Sequence, residues 1–233
     1  MDRLLLDEDT LAASAVVANC AMNRERQLAG ANSYAQALGF NPVDRLRERL
    51  TASAAATPGW LDLCCGTGRA LIQAAQQLAR DGYDGRVSLV GVDLVEYFDP
   101  APVPNPLLRL CCAPVTSWLP DRRFDLITCV HGLHYVGDKL ATLTRAAGWL
   151  ADDGLLVADL DLDSIRLPDG KPAGRALHGA LRRAGFAYDA RRRRITRTGR
   201  PAAPLPYAYL GADDRAGPNY TRQPAVHSYY RPE

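Results

Sequence analysis

Apolar segments of strand length alternate with helical segments through most of the 233-residue chain. Successive residues of each strand segment are apolar, the pattern of a strand buried on both faces of a sheet. Strands joined by helical crossovers predict a doubly wound, mostly parallel α/β sheet. The strand segments of this series are 59–63, 87–92, 107–112, 124–130 and 155–160, and the helical segments are 69–80, 139–150 and 173–184.

The two ends of the chain depart from this alternation. Two further strand segments, residues 186–196 and 205–210, follow each other without a helix, so one of the seven strands is expected to run antiparallel. Residues 7–28, 32–38 and 42–50 have helical periodicity, and Asn41 and Pro42 suit the start of the third helix. We divide the chain into a helical segment (1–58), a core (59–211) and a tail without clear periodicity (212–233), in one compact domain.

Charge and hydropathy exclude several classes of protein. The formal net charge is +2 and the sequence pI is about 8.2, so no basic surface for nucleic acid is expected. The first residues, MDRLLLDEDT, are acidic and lack the order of a signal peptide. Since no apolar run approaches the ~20 residues that span a bilayer, we expect a cytoplasmic protein without a membrane partner.

The six cysteines form none of the CxxC pairs that zinc and thioredoxin-like sites use. Neighbouring cysteines in a strand point to opposite faces and are therefore not expected to bridge. We expect small buried hydrophobic residues in a reducing compartment, and no metal site. The six are Cys20, Cys64, Cys65, Cys111, Cys112 and Cys129.

The stretch LDLCCGTGRA, residues 61–70, places two glycines where the first strand meets its helix. Gly66 and Gly68 allow positive φ and the close approach of a ligand to the backbone, and the helix start offers free amide hydrogens. Asp93 ends the adjacent strand and can accept hydrogen bonds from ribose hydroxyls. The third glycine of a dinucleotide fingerprint would stand at Leu71, and Asp62 would repel a pyrophosphate, so a nicotinamide dehydrogenase is disfavoured.

LDLCCGTGR resembles motif I of the class I S-adenosylmethionine-dependent methyltransferases. The resemblance continues through VGVDL (90–94), FDLITCVHGLHYV (124–136) and LRRAGF (181–186), and covers roughly residues 59–210 in order. It implies a Rossmann-like, seven-stranded sheet whose final hairpin makes one strand antiparallel. It also implies that the N-terminal helices form a lid that sets substrate specificity, and that S-adenosylmethionine is the cofactor and S-adenosylhomocysteine the product.

The resemblance carries over to cofactor-binding residues one by one. Asp62, Gly66 and Gly68 would surround the methionine part, Asp93 would hold the ribose, and residues 113–115 would lie near the adenine. Cysteine stands at position 64, where many members of the family have glycine. The expected cofactor-binding residues are Asp62, Cys64, Gly66, Thr67, Gly68, Asp93, Leu94, Ala113, Pro114, Val115, Cys129 and Tyr34.

The acceptor is expected beside CVHGLHYVGD, residues 129–138. His131 is the candidate catalytic base, because histidine can take a proton near neutral pH; a helix cap or a pocket wall is the alternative role. His134 and Tyr135 are expected to bind the substrate or support the pocket. Tyr34 either reaches the cofactor or packs its own helix.

The acid-rich DLDLDS (159–164) is interpreted as a solvated strand end, and the RRRR run (191–194) as an exposed face.

The sequence therefore predicts a metal-independent methyltransferase that acts on a small metabolite or natural product, with oxygen favoured as the target atom. The alternative is a protein that binds S-adenosylmethionine or S-adenosylhomocysteine and has lost methyl transfer, serving as a scaffold or catalysing a cyclisation or rearrangement. A monomer or homodimer is expected in either case.

Overall fold

The computed structural model describes residues 4–18, 25–83, 85–100, 107–199 and 204–233. It confirms the seven-stranded, mostly parallel sheet, in the order β3-β2-β1-β4-β5-β8-β7, and β8 is antiparallel to both of its neighbours. The strands are β1 (Gly59–Leu63), β2 (Ser88–Asp93), β3 (Leu108–Cys112), β4 (Phe124–Cys129), β5 (Leu150–Asp159), β6 (Ile165–Arg166), β7 (Ala187–Asp189), β8 (Arg194–Thr198), β9 (Tyr207–Asp213) and β10 (His227–Pro232).

Apolar layers cover both faces of this sheet, which explains the continuously apolar strands. The helices are α1 (Glu8–Ala12), α2 (Ala15–Ala18), α3 (Tyr34–Leu38), α4 (Pro42–Ala52), α5 (Arg69–Arg80), α6 (Lys139–Gly148) and α7 (Gly174–Arg183). Leu61 of β1 and Ile127 of β4 face the layer formed by α6 and α7, whereas Trp60 and Leu126 face the layer formed by α4 and α5. Within the described part of the chain, no helix is both long and apolar enough to cross a membrane.

The strand predicted over residues 186–196 is instead a hairpin, formed by β7 and β8. Asp189 causes the turn, because its Oδ1 accepts the backbone amides of Arg191 and Arg192 at 3.0 Å each. Arg193 then adopts a left-handed φ of 49°. These two strands complete the main sheet, so residues 205–210, predicted as its seventh strand, do not belong to it.

Residues 205–210 fall largely in β9, which lies in a separate three-stranded sheet with the order β6-β10-β9. The tail supplies β10, and β9 runs across position 211, where the core was predicted to end. The pairing register shifts at Leu210, an extra residue of β9 that has no partner between Tyr229 and Tyr230 of β10. In β10 itself the consecutive residues Ser228, Tyr229 and Tyr230 are all buried. The strand therefore lacks the alternation of a half-buried strand, which explains why no period was visible in the tail.

The helix predicted over residues 7–28 is wrong in its described part, where α1 and α2 are two short helices. Asp7 caps α1 by accepting the amide of Thr10, and the turn at Ala13 and Ser14 ends it. Residues 19–24, with Cys20, lie outside the described residues. The helix expected after Asn41 is confirmed, since Asn41 Oδ1 accepts the amide of Val43 at 3.0 Å.

Lys139, the first residue of α6, forms hydrogen bonds that hold the C-terminal tail (residues 212–233) against the segment that follows β4. Its side chain is fully buried, and its Nζ donates to the carbonyl oxygens of Val136 and Val226 at 2.9 Å each and to Ser228 Oγ at 2.6 Å. A buried ammonium is stable only when its donors are paired, so β10 and the segment after β4 are held together. Burial lowers the pKa of Lys139 to about 7.

This buried lysine should make stability depend on pH. The pKa of Lys139 is about 7 in the folded chain and near its ordinary 10.5 in the unfolded chain. The unfolded state therefore holds more protons between these values, and the free energy of unfolding rises with pH there, by up to about 1.4 kcal/mol per pH unit. Lys139→Met should remove this rise in urea unfolding measured between about pH 7 and 8.5, below the ionisation of most thiols and phenols.

Lys171→Met is the matched control, because Lys171 is exposed and pairs only with the exposed Asp169 among the described residues. An identical pH dependence in the wild type and in Lys139→Met would contradict the assignment.

Candidate active site

A cavity of about 390 Å³ opens at the carboxyl ends of β1, β2 and β4. This is the edge of an open α/β sheet at which ligands bind. Its surface is formed by the loops that follow β1, β2 and β3, by the segment that follows β4, and by α1. The predicted site residues on its surface are Cys64, Gly66, Asp93, Leu94, Pro114, Val115, His131 and Tyr135.

The loop after β1 is held against Asp93 by hydrogen bonds. Gly66 donates its amide to Asp93 Oδ2 at 2.8 Å, and Val95 donates its amide to Oδ1 at 3.2 Å. Gly66 and Gly68 have φ values of 61° and 72°, which glycine adopts without steric cost. Asp93 therefore fixes the shape of the glycine loop and also presents its carboxylate at the cavity.

Leu71, which stands where a dinucleotide fingerprint has its third glycine, packs against β2. The glycine at this contact is Gly91 on the strand, where an added Cβ would lie 2.6 Å from Leu71 Cδ1 and 2.8 Å from Cys65 Sγ. Helix α5 and strand β2 thus approach each other closely because the glycine stands on the strand, at Gly91, and not on the helix.

Asp62 lies beneath this loop, fully buried and off the cavity surface. Tyr34 donates its hydroxyl to Asp62 Oδ2 and Thr128 donates its hydroxyl to Oδ1, each at 2.5 Å. Trp60 Nε1 donates to Thr128 Oγ1 at 2.8 Å. Burial raises the pKa of Asp62 to about 7 against the opposing effect of the two hydroxyls. Tyr34 thus reaches Asp62, and not the cavity surface.

Five other predicted residues are also absent from the cavity surface. They are Thr67, Gly68, Ala113, Cys129 and His134. His134 is buried between His131 and Tyr220, with ring centroids 5.8 and 5.4 Å away. Burial lowers the pKa of His134 to about 3, so this imidazole is neutral.

Cys64 and the segment after β4 meet in a very close contact. An added Cβ at Gly132 would overlap Cys64 Cβ and lie 2.8 Å from Cys129 Sγ. Cys64 itself has a φ of 57°, which is strained for a residue with a side chain. The hydrogen bond with Cys129, together with burial, raises the pKa of the Cys64 thiol, so it is a packing group. Among the described residues, no three metal-binding side chains converge.

His131 is on the cavity surface and is paired with Asp159. The Asp159 Oδ2 atom accepts the His131 amide at 3.0 Å and lies 3.6 Å from His131 Nε2. His131 Nδ1 is buried without a hydrogen-bond partner among the described groups. Burial lowers the pKa of His131, although Asp159 opposes this effect, and burial raises the pKa of Asp159. His131 is therefore neutral near pH 7 and can accept a proton.

A family model described as "Methyltransferase domain" matches residues 32–191, well over half of the chain. The chain belongs to this methyltransferase family. The match confirms the resemblance to class I S-adenosylmethionine-dependent methyltransferases, and with it the predicted enzyme class and cofactor at the level of the family. No curated protein matches the chain significantly.

Solved structures of methyltransferases resemble this methyltransferase domain at low identity. The plantazolicin methyltransferase BpumL in complex with SAH is 15% identical over 64% of this chain and 52% of that one, with a TM-score of 0.41. CalS10, an amino pentose methyltransferase from Micromonospora echinaspora, is 20% identical over 53% and 52%, with a TM-score of 0.38. The chain thus spans about half the length of these structures.

Two parts of this methyltransferase site were missed in the sequence. The first is the set of cavity residues on α1, namely Glu8, Asp9, Leu11 and Ala12; the family resemblance implied a lid of N-terminal helices but named none of these residues. Acids in the first turn of a capped helix are common for reasons of helix stability, so nothing in the sequence marked them as lining a site. The second is Asp159: the interpretation of DLDLDS as a solvated strand end is wrong, because Asp159 is only 7% exposed.

The interpretation of the arginine run is correct only in part. Arg191 and Arg192 are exposed, but Arg193 is 2.8 Å from Asp161 and Arg194 donates to the carbonyl oxygen of Leu38. These last two arginines hold the edge of the methyltransferase domain together.

The contact between Gly132 and Cys64 yields a steric prediction. Gly132→Ala should force the two loops of the site apart, because the new methyl group would overlap Cys64 Cβ. We expect a loss of about 1–3 kcal/mol in the free energy of unfolding, typical of overpacking, and a weaker affinity for S-adenosylhomocysteine in calorimetry. Gly179→Ala is the control, since its new methyl would meet only the end of the flexible Arg183 side chain. Equal stability of the two variants would refute the contact.

Proposed function

We propose that the protein transfers the methyl group of S-adenosylmethionine to a small metabolite or natural product, with oxygen as the target atom and without a metal. The observation that carries the proposal is one cavity that brings the Asp93-bound glycine loop face to face with the His131–Asp159 pair. The glycine loop would bind the cofactor, and the His131–Asp159 pair would act as acid and base.

The cavity as a whole fits S-adenosylmethionine in charge. When bound, this cofactor supplies an electrophilic methyl group on a positively charged sulfur. The charged side chains on the cavity surface are the acids Glu8, Asp9 and Asp93, which favour a cation. Asp93 would hold the ribose, and the surface that Gly66 leaves open would receive the methionine part. Asp62, which lies off the cavity surface, would act indirectly, by holding β1 and the glycine loop that follows it in place.

In the acceptor half, His131 would take the proton that an acceptor hydroxyl loses as its oxygen gains the methyl group. The imidazole of His131, which is on the cavity surface, would accept this proton, and Asp159 Oδ2, 3.6 Å from Nε2, would stabilise the charge that the ring gains. Asp159 also binds the His131 amide and so fixes the backbone that carries the base. A carboxylate behind an imidazole orients the ring and stabilises its protonated form.

The other side chains of the acceptor half favour an apolar acceptor, and the acids on the cavity surface require it to be uncharged or cationic. Leu11 and Val17 come from the N-terminal segment, and Val130, Tyr135 and Val136 come from the segment after β4. These side chains would bury an apolar or aromatic molecule and exclude water. Holding the acceptor hydroxyl near the methyl donor would supply much of the rate, because both reactants are then fixed in position.

Cofactor binding is tested by calorimetry with S-adenosylhomocysteine. The wild type should bind it with micromolar affinity, and Asp93→Ala should weaken binding at least about tenfold, because it removes both a ligand group and the acceptor of the Gly66 amide. Asp169→Ala is the control, because Asp169 lies in an exposed turn off the cavity. Binding of NADH without S-adenosylhomocysteine would sink the proposal.

Methyl transfer is tested with labelled S-adenosylmethionine and metabolite extracts of the source organism. Once a labelled product is found, His131→Ala should lower turnover by about 10²–10⁴ while the affinity for S-adenosylhomocysteine stays the same. Asp159→Asn should lower turnover less, because the base remains. Unchanged turnover in His131→Ala would rule out the base, and no labelled product from the wild type would favour the non-methylating binding protein.

A further inference from the structure

The helix α1 lies on the surface of the acceptor half of the cavity. Three contacts attach it to the rest of the protein. Leu6, just before the helix, exchanges two backbone hydrogen bonds with Ala212 of β9, at 2.8 and 2.9 Å. Leu11 is buried in a small cluster with Ala212 and Val226. The third attachment is the side chain of Glu8, which reaches across to the segment that follows β4.

Glu8 accepts a hydrogen bond from the segment that follows β4 (residues 130–138, here called the acceptor segment) and lies beside a tyrosine of the second sheet. Its Oε1 accepts the amide hydrogen of Asp138 at 2.6 Å, and the Tyr209 hydroxyl of β9 lies beside the same carboxylate. Asp138 is itself held, since its Oδ1 caps α6 at Ala141 and accepts the Tyr230 hydroxyl at 2.9 Å. Glu8 is thus bound to a point that the tail and α6 keep fixed.

Gly137 provides the space for this carboxylate. An added Cβ at Gly137 would overlap Glu8 Oε1 and would lie 2.5 Å from the Tyr209 hydroxyl. Gly137 does not have a positive φ, so its backbone conformation does not itself require glycine. The steric reason for glycine here is therefore the approach of Glu8, which gives a second, independent way to disturb the same contact.

We propose that Glu8 is a positioning residue that holds α1 against the acceptor segment and so sets the closed form of the acceptor half of the cavity. The proposal deepens the proposed function and rests on it only for the identity of the ligand. Leu6 and the buried Leu11 would still hold α1, so loss of the Glu8 contact would loosen the first turn of the helix at the cavity while the fold remains intact.

Glu8 also lies on the cavity surface, so it could instead take a proton from the acceptor. The two roles predict different effects of Glu8→Gln. A glutamine keeps an oxygen that accepts the Asp138 amide, and its amino group can reach the Tyr209 hydroxyl, so a positioning role survives the change. A base does not survive it, because an amide cannot accept a proton near neutral pH.

The first test needs no ligand and measures amide hydrogen exchange in residues 4–12 and 136–140. Glu8→Ala should speed exchange there by about tenfold, in keeping with the loss of one charge-assisted hydrogen bond. Gly137→Ala should have the same effect, Glu8→Gln should resemble the wild type, and the double variant Glu8→Ala with Gly137→Ala should add little. Gly148→Ala is the control, because its new methyl would meet nothing within 4 Å. Unchanged exchange in Glu8→Ala would overturn the proposal.

The second test uses S-adenosylhomocysteine as the probe in stopped-flow binding. Glu8→Ala and Gly137→Ala should raise the dissociation rate several-fold, and Glu8→Gln should leave it near the wild-type value. Where turnover is measurable, Glu8→Ala should raise KM for the acceptor more than it lowers kcat. A Glu8→Gln variant as inactive as Glu8→Ala would overturn the positioning role. Failure of the wild type to bind the probe would count against the proposed function, and hydrogen exchange would then decide on Glu8 separately.

Discussion

The buried carboxylate of Asp62 is the constraint on which the arrangement of this protein depends. A fully buried carboxylate is costly unless its oxygens are hydrogen-bonded, and here the two donors come from different parts of the chain, Thr128 of β4 and Tyr34 of α3. The ring of Tyr34 also packs edge-on against Trp60, with centroids 5.8 Å apart. The position of α3 over the sheet is therefore set by the same group that fixes β1 to β4. The glycine loop starts two residues beyond Asp62, so its place follows from this network.

The sequence predicted the parallel part of the fold because each element there is local and strongly patterned. The helix α5 was predicted at its observed bounds, Arg69–Arg80, and β1 likewise at Gly59–Leu63. The errors have non-local or turn-specific causes. Asp189 breaks one predicted strand by binding two amides of its own turn, and the burial of three consecutive residues, 228–230, hides the period of β10. A helical period over residues 7–28 did not reveal where α1 ends.

The residues of the candidate site fall into the same two groups, those that a local pattern predicted and those that only non-local contacts reveal. Gly66, Asp93 and His131 lie at the ends of patterned strands, so the strand pattern and the family resemblance together predicted them at one edge of the sheet. Glu8 and Asp159 could not be predicted in this way, because their partners are 130 and 28 residues distant in the chain. A carboxylate at a helix start or a strand end has several ordinary explanations, and only the fold shows what it touches.

Two residues with side chains, Cys64 and His131, adopt left-handed φ values of 57° and 59° on the facing loops of the cavity. Such conformations cost about 1–3 kcal/mol each and persist only where the surroundings enforce them. Gly132 leaves no room for a Cβ beside Cys64, and Asp159 binds the amide of His131, so the two strained residues stand on segments that are in close contact. A change in the backbone of either segment would displace the other. The loop after β1 and the segment after β4 are therefore sterically coupled at this edge of the sheet.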